Sequence, residues 1–374
     1  MKFSIDRSAL LSALQHVHSV VERRNTIPIL SNVLIEAKED GVYLTATDMD
    51  IAVIEKIDLE KSEVMQLGTI TTSAQMLYDI VRKLPENIKV ELLSENNDRL
   101  GIKASTSSFA LNCLPASDFP SISQEEFKYS FSLDSNDLIR LIDKTSFAMS
   151  LEETRYYLNG IYLHAVNDTE GDKLRTVSTD GHRLSRVDMN IPEGANEIPG
   201  VIVPRKTIME IRKLLEDHSD NISLSLSENK IKLSFNNVIL TSKLLDGTFP
   251  DYSRVIPEQN DKTVTISNQL LSEAVDRVST VSTDKTRAIK VNISKNNLVV
   301  SATNPDKGSA SESLEVIYDG EEVEIGFNSK YVLDVARQIK GNEIIIKFSD
   351  SVSPTLVYDK DDKGVLFVLM PMRV

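Results

Sequence analysis

The stretch FSID at residues 3–6 opens a pattern that recurs twice further along this chain. The same alternation of apolar and polar residues returns as FSLD at 131–134 and as VTIS at 264–267. Each stretch leads directly into apolar residues at helical spacing, which indicates a short strand followed by an amphipathic helix. The three stretches begin 128 and 133 residues apart. The spacing predicts that the chain contains one structural unit three times.

Three further features follow in the same order in each copy. A strand reaches a similar turn, with the sequences ATD at 46–48, STD at 178–180 and ATN at 302–304. A second strand and helix come next: ITTSAQMLYDIVRKL from Ile70, IVPRKTIMEIRKLL from Ile202 and IGFNSKYVLDVARQI from Ile325. The first two copies then close on Phe-Pro, at 119–120 and 249–250, whereas the third ends in LMPMRV.

The repeat predicts the fold class. The strands are short, alternate in polarity and are separated by turn residues, which favours antiparallel sheets. Two helices packed on such sheets make an α+β domain. We therefore expect three topologically similar domains at about 1–127, 128–254 and 255–374, each within the usual size of a domain. Repeated domains of this kind tend to form a curved array or a closed ring.

Composition narrows the class of protein. Of 374 residues, 41% are apolar and 26% are charged, as in soluble globular proteins. No apolar run approaches the roughly 20 residues that span a bilayer, and Asp6 and Arg7 interrupt the start where a signal peptide needs an apolar stretch. The single cysteine, Cys113, excludes an intrachain disulfide and is expected to be a small core residue. We expect a cytoplasmic protein.

The distribution of charge favours nucleic acid although the net charge of −14 does not. The expected helices hold 15 Lys or Arg and 10 Asp or Glu, so the rest of the chain carries −19. Helices that share one surface would make it electropositive, and such a surface binds phosphates without reading bases. The absence of Trp disfavours stacking of unpaired bases, so duplex DNA is the expected ligand. The helices expected are 7–24, 73–84, 135–150, 204–218, 267–282 and 328–340.

The residues leave two rival functions open. Asp180 and His182, in TDGHR at 179–183, form the nearest approach to a catalytic cluster, as in a hydrolase. Asp-Gly is an ordinary turn signal, and no nucleophile lies in the motif. His16 and His18 are two apart on a helix and face different directions, which is poor for metal binding. We therefore predict a protein that is not an enzyme and has no metal or cofactor. A repeat scaffold without any role on nucleic acid is the other alternative.

Seven blocks of the sequence carry a resemblance to one family: MKFSIDRSALLSALQ from Met1, TIPILSNVLI from Thr26, RYYLNGIYL from Arg155, TVSTDGHRLS from Thr176, VIVPRK from Val201, TSKLLDGTFPDYSRVIP from Thr241 and VLMPMRV at the end. They closely resemble the beta subunits of bacterial DNA polymerase III, which are replicative sliding clamps. The resemblance spans the whole chain and implies a head-to-tail homodimer. Two copies of three domains would form a closed ring with helices lining the hole and sheets outside. The ring would encircle duplex DNA without sequence specificity and tether the polymerase.

The resemblance also implies a cleft that binds the peptide tails of partner proteins. These partners would be the DNA polymerase III catalytic subunit and the clamp loader, together with other polymerases, mismatch-repair, ligase and initiation-control proteins; no membrane partner is implied. Pro354 stands where a small polar residue is usual. The matching cleft positions are Arg155, Tyr157, Leu158, Thr179, Gly181, His182, Arg183, Leu184, Pro250, Arg254, Val255, Asn328, Tyr331, Val352, Val368, Met370, Pro371, Met372 and Arg373.

Two further sets of residues follow from the resemblance. In the set that would contact DNA, the position of Gln75 is commonly basic and that of Glu152 is better served by a neutral amide. In the set that would form the dimer interface, Thr280 replaces a larger apolar residue, which predicts a weaker ring seam. The DNA-contacting set is Arg24, Gln75, Arg82, Glu152, Tyr156, Tyr157, Arg205 and Lys206, and the dimer-interface set is Ile80, Phe109, Leu111, Thr280 and Val281.

Overall fold

The computed structural model describes residues 1–21, 26–94, 98–122, 126–168, 171–216, 218–283 and 286–373. Each repeat begins on a strand that runs directly into a helix, as the recurring stretch predicts. The elements of the first repeat are β1 (Lys2–Asp6), α1 (Arg7–His18), β2 (Asn32–Lys38), β3 (Gly41–Thr47), β4 (Ile51–Ile57), β5 (Ser62–Gln66), β6 (Gly68–Ser73), α2 (Ala74–Lys83), β7 (Lys89–Leu93), β8 (Arg99–Ala104) and β9 (Ser107–Leu114).

The second and third repeats have the same order of elements without the additional strand β5. The second repeat contains β10 (Tyr129–Asp134), α3 (Ser135–Ser146), β11 (Gly160–Asp168), β12 (Gly171–Thr179), β13 (Arg183–Asn190), β14 (Val201–Pro204), α4 (Arg205–Leu214), β15 (Asn221–Leu226), β16 (Lys230–Phe235) and β17 (Val238–Lys243). The third contains β18 (Lys262–Ser267), α5 (Asn268–Ser279), β19 (Ala288–Ser294), β20 (Asn297–Asn304), β21 (Gly308–Glu315), β22 (Val323–Asn328), α6 (Ser329–Ala336), β23 (Glu343–Phe348), β24 (Thr355–Asp359) and β25 (Val365–Leu369).

The strands form sheets of 13, eight and four strands, with the orders β10-β15-β16-β17-β4-β3-β2-β6-β9-β8-β7-β1-β5, β14-β11-β12-β13-β25-β24-β23-β18 and β21-β20-β19-β22. Their paired strands run antiparallel. Short alternating strands joined by tight turns are the cause, because parallel pairs need long crossover connections. The prediction of an α+β fold with antiparallel sheets is confirmed.

Two of the sheets pass from one repeat into the next. Strand β4 of the first repeat pairs with β17, the last strand of the second repeat. In the same way, β13 of the second repeat pairs with β25, the last strand of the third. The chain accordingly divides into two compact units. Unit 1 comprises Met1–Ser135, Pro192–Ala195 and Met209–Leu244, and unit 2 comprises Asn136–Ile191, Asn196–Ile208 and Leu245–Val374.

Helices α1, α2, α5 and α6 each pack against strands of their own repeat. Helix α2 buries Ala74, Leu77 and Val81, which recur at helical spacing. Helix α1 packs against α2, and α5 packs against α6. Side chains cap three of the helix starts, with the Ser73 hydroxyl, the Ser267 hydroxyl and the Asn328 carboxamide each accepting a backbone N–H. Such caps satisfy donors that have no partner within the helix.

The six predicted helices are present in the described part of the chain, but they are shorter than predicted. Helix α5 ends at Ser279 because the hydroxyls of Ser279 and Thr280 bond back to the carbonyl of Asp276, at 3.0 and 3.3 Å. After α6, the amides of Gln338 and Ile339 bond three residues back, which tightens the chain into a turn. No helix in the described residues is long and apolar enough to cross a membrane.

Candidate functional site

The Thr179-Asp180 turn between β12 and β13 is held by its own side chains. The Thr179 hydroxyl donates to the carbonyl of Arg183 at 2.7 Å and accepts from the amide of Gly181 at 3.0 Å. One Asp180 oxygen accepts the amides of His182 and Arg183, at 3.0 and 3.1 Å. Gly181 has φ +88°, a conformation that favours glycine. The TDGHR motif therefore builds a rigid turn.

The geometry of this turn argues against the rival catalytic hypothesis. The second oxygen of Asp180 accepts from Nε of Arg183 at 3.1 Å, so both carboxylate oxygens are used to hold the turn. The imidazole of His182 is exposed and stacks on the ring of Tyr331, with centroids 6.2 Å apart. A general base needs a partner that orients its ring. Asp180 orients the backbone of His182 and the side chain of Arg183 instead.

Arg183 lies beneath the turn and connects three elements. The residue is 6% exposed, and its guanidinium pairs with Asp334 of α6 at 2.6 Å and donates to the carbonyl of Phe147 at 2.6 Å. The charge also lies over the rings of Phe147 and Tyr331, at 5.1 and 4.5 Å. The planar guanidinium suits such multiple contacts. Arg183 is therefore a buried support for the site and not an exposed contact.

An apolar cluster lies beside this turn in unit 2, and we call it the cleft cluster. It contains the predicted residues Leu158, Leu184 and Val368, with Tyr157 partly buried against them. Sequence reasoning did not assign its other members to the site, although most of them belong to the alternating apolar residues of β11, β12, β14, β24 and β25 and Phe249 belongs to the recurring Phe-Pro pair. These are Val177, Ile202, Phe249, Leu356 and Leu366, with Tyr162, Leu245, Tyr252, Ile256 and Tyr358 partly buried.

Several predicted rim residues adjoin members of the cleft cluster along the chain. Pro250 precedes a short helical turn, Tyr252–Val255, that carries Arg254 and the 43% exposed Val255. The amide of Met370 donates to the carbonyl of His182 at 2.9 Å, and the Met370 side chain is 37% exposed. The rim therefore combines exposed apolar groups with a flexible methionine, which suits a short peptide.

Four predicted cleft residues lie on other elements. The amide of Met372 donates to the carbonyl of Gly326 at 2.9 Å, so the end of the chain leaves β25 for β22. Asn328 caps α6. Val352 is 75% exposed on a turn that Asp350 holds by accepting its amide at 2.8 Å. Arg155 is exposed and reaches Glu152 at 3.3 Å. The remaining two, Pro371 and Arg373, belong to the same terminal segment as Met372.

A series of buried, hydrogen-bonded polar side chains contacts Tyr252 at the rim. His164 is 8% exposed and bonds the hydroxyl of Tyr252 through Nε2 at 2.9 Å. Arg175 donates to the same hydroxyl at 3.3 Å and pairs with both oxygens of Asp188, at 2.6 and 2.8 Å. Burial, helped by the nearby Arg175 charge, lowers the pKa of His164 to about 4. This series therefore fixes Tyr252, which carries the turn at the rim, through a neutral imidazole.

The predicted DNA-contacting residues lie partly in each unit. Arg24 lies outside the described residues. Gln75 donates to Asp79 at 3.0 Å, and the 55% exposed Arg82 lies 3.5 Å from the same carboxylate. In unit 2, the exposed Tyr156 meets Tyr157 edge to face, with centroids 5.7 Å apart. Lys206 is partly exposed on α4, and Glu152 is exposed.

Arg205 is more enclosed than its predicted role suggests. One guanidinium nitrogen donates to the carbonyls of Met149 and Ser150, at 2.8 and 3.1 Å. Burial, with a smaller contribution from Arg183, lowers the pKa of Arg205. The Arg205 side chain therefore holds the segment that leads to Tyr156 and Tyr157.

The helices offer less positive charge to a ligand than the sequence count predicts. The helices as observed hold eleven Lys or Arg and seven Asp or Glu, so they remain net basic. However, Arg140 pairs with Asp362 at 2.6 Å, and the 3% exposed Lys144 lies 3.7 Å from Asp359 and 3.6 Å from Asp362. These two cations are neutralised within the fold. Counting charge along a helix cannot reveal this, because the acidic partners lie more than 200 residues away in sequence.

The predicted interface residues lie at open strand edges and helix ends. Phe109 and Leu111 are on β9, which pairs with β8 along its length but with β6 only at Cys113 and Leu114. In the described part of the chain, β21 pairs with β20 alone. Ile80 is half-buried on α2, whereas Thr280 and Val281 follow the end of α5. Open edges of this kind are sites where another strand can add.

Comparison with known proteins agrees with this architecture in each repeat. Family models of the DNA polymerase III beta subunit match its N-terminal domain at residues 1–123, its central domain at 132–251 and its C-terminal domain at 253–373. The beta sliding clamp of Caulobacter vibrioides is 51% identical and that of Pseudomonas aeruginosa 40% identical, with all of each chain covered.

Solved structures agree over the same length. The crystal structure of the sliding clamp of Bartonella birtlesii bound to griselimycin has a TM-score of 0.96 and 48% identity, and that of the Caulobacter crescentus clamp has 0.96 and 50%. All of this chain and of each of those chains is covered. Matches in three successive domains and over the full length leave one conclusion: the chain belongs to the family of DNA polymerase III beta subunits, the beta sliding clamps, and has their three-domain clamp fold.

Proposed function

We propose that the protein acts in DNA replication as a sliding clamp, a processivity factor that encircles duplex DNA and tethers the replicative polymerase. Its membership of the clamp family supports this role. The role is that of a non-catalytic accessory subunit in the cytoplasm, and the geometry of Asp180 and His182 is in keeping with it. Its partners would be the polymerase catalytic subunit, the clamp loader and the other peptide-bearing proteins that the resemblance implies.

The observation that supports a closed ring is the strand pairing, or join, that recurs between neighbouring repeats. In both joins, the strand after the Thr-Asp turn pairs with the last strand of the following repeat: β4 with β17, and β13 with β25. By the same equivalence, the third repeat offers β21, and the first repeat offers β9. Both have an open edge in the described residues. A second copy that supplied β9 to β21 would repeat the join head to tail, and two such joins close a ring.

The helices support the same closure. At the first join, the hydroxyl of Ser19, which follows α1, donates to Glu210 of α4 at 2.6 Å. The equivalent positions in the third and first repeats are Thr280 and Asp79. The predicted interface residues Thr280, Val281 and Ile80 thereby meet at the seam between copies. Thr280 keeps the hydroxyl that Ser19 uses.

We propose that DNA is retained by topology more than by affinity. Arg82 and Lys206 are exposed in part, whereas Arg140 and Lys144 are neutralised within the fold. A modest positive surface lets the phosphate backbone slide past without readout of bases. A closed ring needs no tight contact to stay on the duplex, and strong contacts would slow its movement.

The cleft cluster is proposed as the site for partner peptides. Its apolar floor is rimmed by Tyr157, Val255 and Met370, whose exposed groups can adapt to different side chains. The exposed ring of His182 lies on Tyr331 at the edge of the site. Binding a polymerase tail here would hold the polymerase close to its template and turn each dissociation into a local event.

Retention on circular DNA tests the proposal. The chain, loaded by its clamp loader, is expected to stay on a nicked circular duplex at salt concentrations that strip ordinary electrostatic binders. Cutting the circle once should release it, because a ring slides off a free end. The mass in solution is expected to be twice 41.7 kDa. Equal loss from circular and linear DNA, or a monomer that is retained, would contradict the proposal.

A further inference from the structure

Strand β5 is an edge strand without a counterpart in the described parts of the other two repeats. It lies at the end of its sheet and pairs with β1 alone among the described strands. The register slips by one residue between Phe3 and Lys2, which leaves Met65 without a partner on β1. Such a bulge redirects a side chain and hinders the addition of another strand. Recognition at this edge therefore falls to side chains.

Other edge strands are bonded by a further segment of the chain. On β14, the carbonyl of Ile202 accepts the amide of Leu245 at 3.0 Å. On β18, Thr265 exchanges two backbone bonds with Ile317, at 3.0 and 3.2 Å. Among the described residues, no backbone group outside β1 bonds to the backbone of Ser62–Gln66. The outer side of β5 is therefore open.

Three large apolar side chains are exposed together at this edge. The exposed fractions are 51% for Leu59, 48% for Met65 and 52% for Leu67. All three border an open depression of about 580 Å³ in unit 1. Single exposed apolar residues are ordinary, whereas a group of them commonly marks an interaction site. We call this surface the β5 patch, and it comprises Glu39, Leu59 and residues 62–67.

Two carboxylates give the β5 patch a negative charge. Glu39 and Glu63 are exposed, and neither has an ion pair in the part of the chain that the structure describes. The exposed Lys61 does not line the patch, and the adjacent Glu60 offsets its charge. Other lysines of the first repeat are already paired with carboxylates: Lys38 with Glu36 at 3.2 Å, Lys56 with Asp40 at 3.1 Å and Lys2 with Glu91 at 3.7 Å.

The charge of the β5 patch discriminates between possible occupants. DNA and anionic lipid would bring phosphates to two carboxylates, and a second copy of the chain would bring the same two glutamates. Like charges in close contact disfavour all three. A small cation would pair with the glutamates but would leave the apolar side chains exposed. A polypeptide segment that carries both basic and apolar side chains matches the whole patch.

We propose that the β5 patch is a docking surface for a basic, amphipathic segment of a protein partner. The apolar side chains of that segment pack on Leu59, Met65 and Leu67, and its ammonium or guanidinium groups pair with Glu39 and Glu63. The β5 patch shares no residue with the cleft cluster. The proposal therefore does not depend on the peptide role proposed for the cleft cluster. A clamp with both sites would hold a partner at two points.

A methionine methyl signal tests the proposal on the full chain. The chain, labelled with 13C at its methionine methyl groups, is titrated with an acetylated Lys-Leu-Lys-Leu-Lys-Leu amide. We expect a saturable shift of the Met65 signal. Glu39→Gln together with Glu63→Gln should weaken that response about fivefold or more, because both charge pairs are lost. Leu59→Ser together with Leu67→Ser should also weaken it, because the apolar contact is lost.

The control must separate local pairing from general attraction, because a net charge of −14 attracts any basic peptide. Glu193→Gln together with Glu197→Gln changes the net charge equally. Both are exposed glutamates that likewise have no ion pair within the described ranges, and this variant should leave the Met65 titration unchanged. The other methionine signals should stay in place in every variant, which shows that it is folded.

Four results would overturn the proposal. The first is a Met65 signal that stays still. The second is an equal response to spermidine or to a Lys-Ser hexapeptide, which would show that the patch takes any cation. The third is an equal response to an Asp-Leu hexapeptide, which would show that charge plays no part. The fourth is equal weakening by the two glutamine pairs, which would show that the attraction is general.

Discussion

Arg183 illustrates how a residue can serve a binding site without reaching its ligand. Its guanidinium pairs with Asp180 and Asp334, and the residue as a whole is 6% exposed. A buried charge of this kind is tolerated only with full pairing. Because the arginine shares its motif with exposed His182, sequence alone suggested that both line the cleft. Their contacts explain the difference, since Arg183 begins β13 and its side chain donates to Asp334 and Phe147, whereas His182 lies in the turn before the strand.

His164 gives a prediction at the residue scale that concerns pH. Its pKa is about 4 in the folded chain and 6.5 when unperturbed. The unfolded chain therefore binds a proton first as the pH falls, and stability is lost from pH 6.5 down through pH 4. This group alone should account for about 3 kcal/mol of that loss. The substitution His164→Gln, which keeps a polar partner for Tyr252 but does not titrate, should remove this part of the pH dependence.

Urea midpoints between pH 4 and pH 7 provide the measurement. The exposed His182 offers a matched control, because His182→Gln removes an imidazole without disturbing a buried bond. A His164→Gln chain whose midpoint falls with pH as steeply as that of the unmodified chain would show that His164 does not carry the effect.

At the scale of elements, Lys144 ties α3 to the β24–β25 hairpin. Its ammonium donates to the carbonyl of Gln338 at 2.7 Å and lies near Asp359, whose side chain is 1% exposed. Removing one partner of a buried ion pair typically costs about 3–5 kcal/mol, since the other charge is left uncompensated. We expect Lys144→Met to destabilise the chain by about that amount. Urea unfolding measures it.

A second substitution checks the reason for that loss. Asp359→Asn in the Lys144→Met background should recover part of the stability, because it removes the orphaned charge. Lys330→Met, which alters an exposed lysine on α6, should change stability by less than about 0.5 kcal/mol. Equal destabilisation by Lys330→Met would contradict the special role of the buried pair.

The elements were predictable from sequence where local patterns control them. Strand and helix starts recur three times, so the order of the elements and the six helices could be read directly, whereas the additional strand β5 could not. Helix ends were placed too far along, since hydroxyls such as that of Thr280 divert the backbone only through bonds that a pattern does not show. The inner wall of the cleft, including Leu366, was missed because it depends on pairing between β13 and β25, which are far apart in sequence.

At the scale of the whole molecule, the two joins differ in the side chains that they present because the repeats have diverged. One turn and one strand pairing occur at both joins, but the second join has Leu184 and Val368 where the first has Ala52 and Thr241. The predicted domain limits at 127 and 254 stay a prediction. Continuous sheets across the joins explain why the compact units follow the joins and divide the second repeat between them.

The same equivalence fixes the register of the seam between two copies, which a pair of cysteines can test. Ile51 lies opposite Ser242 at the first join, and Arg183 lies opposite Leu369 at the second. Counting from the turns and hairpins places Lys307 opposite Leu111 of another copy. Directly opposed residues are about 4.5–5.5 Å apart at Cα, within the range that a disulfide bridges.

A Cys113→Ser chain that carries Leu111→Cys and Lys307→Cys should therefore oxidise to a covalent dimer on a denaturing gel. Ala110→Cys with Lys307→Cys is the matched control. Neighbouring residues of a strand face opposite sides of the sheet, so this pair should link poorly. Equal linkage of both pairs would contradict the register, and linkage of neither would contradict the head-to-tail seam. With both seams linked on a circular duplex, the ring should remain on the DNA through denaturation, because only a broken chain or a cut circle could then separate them.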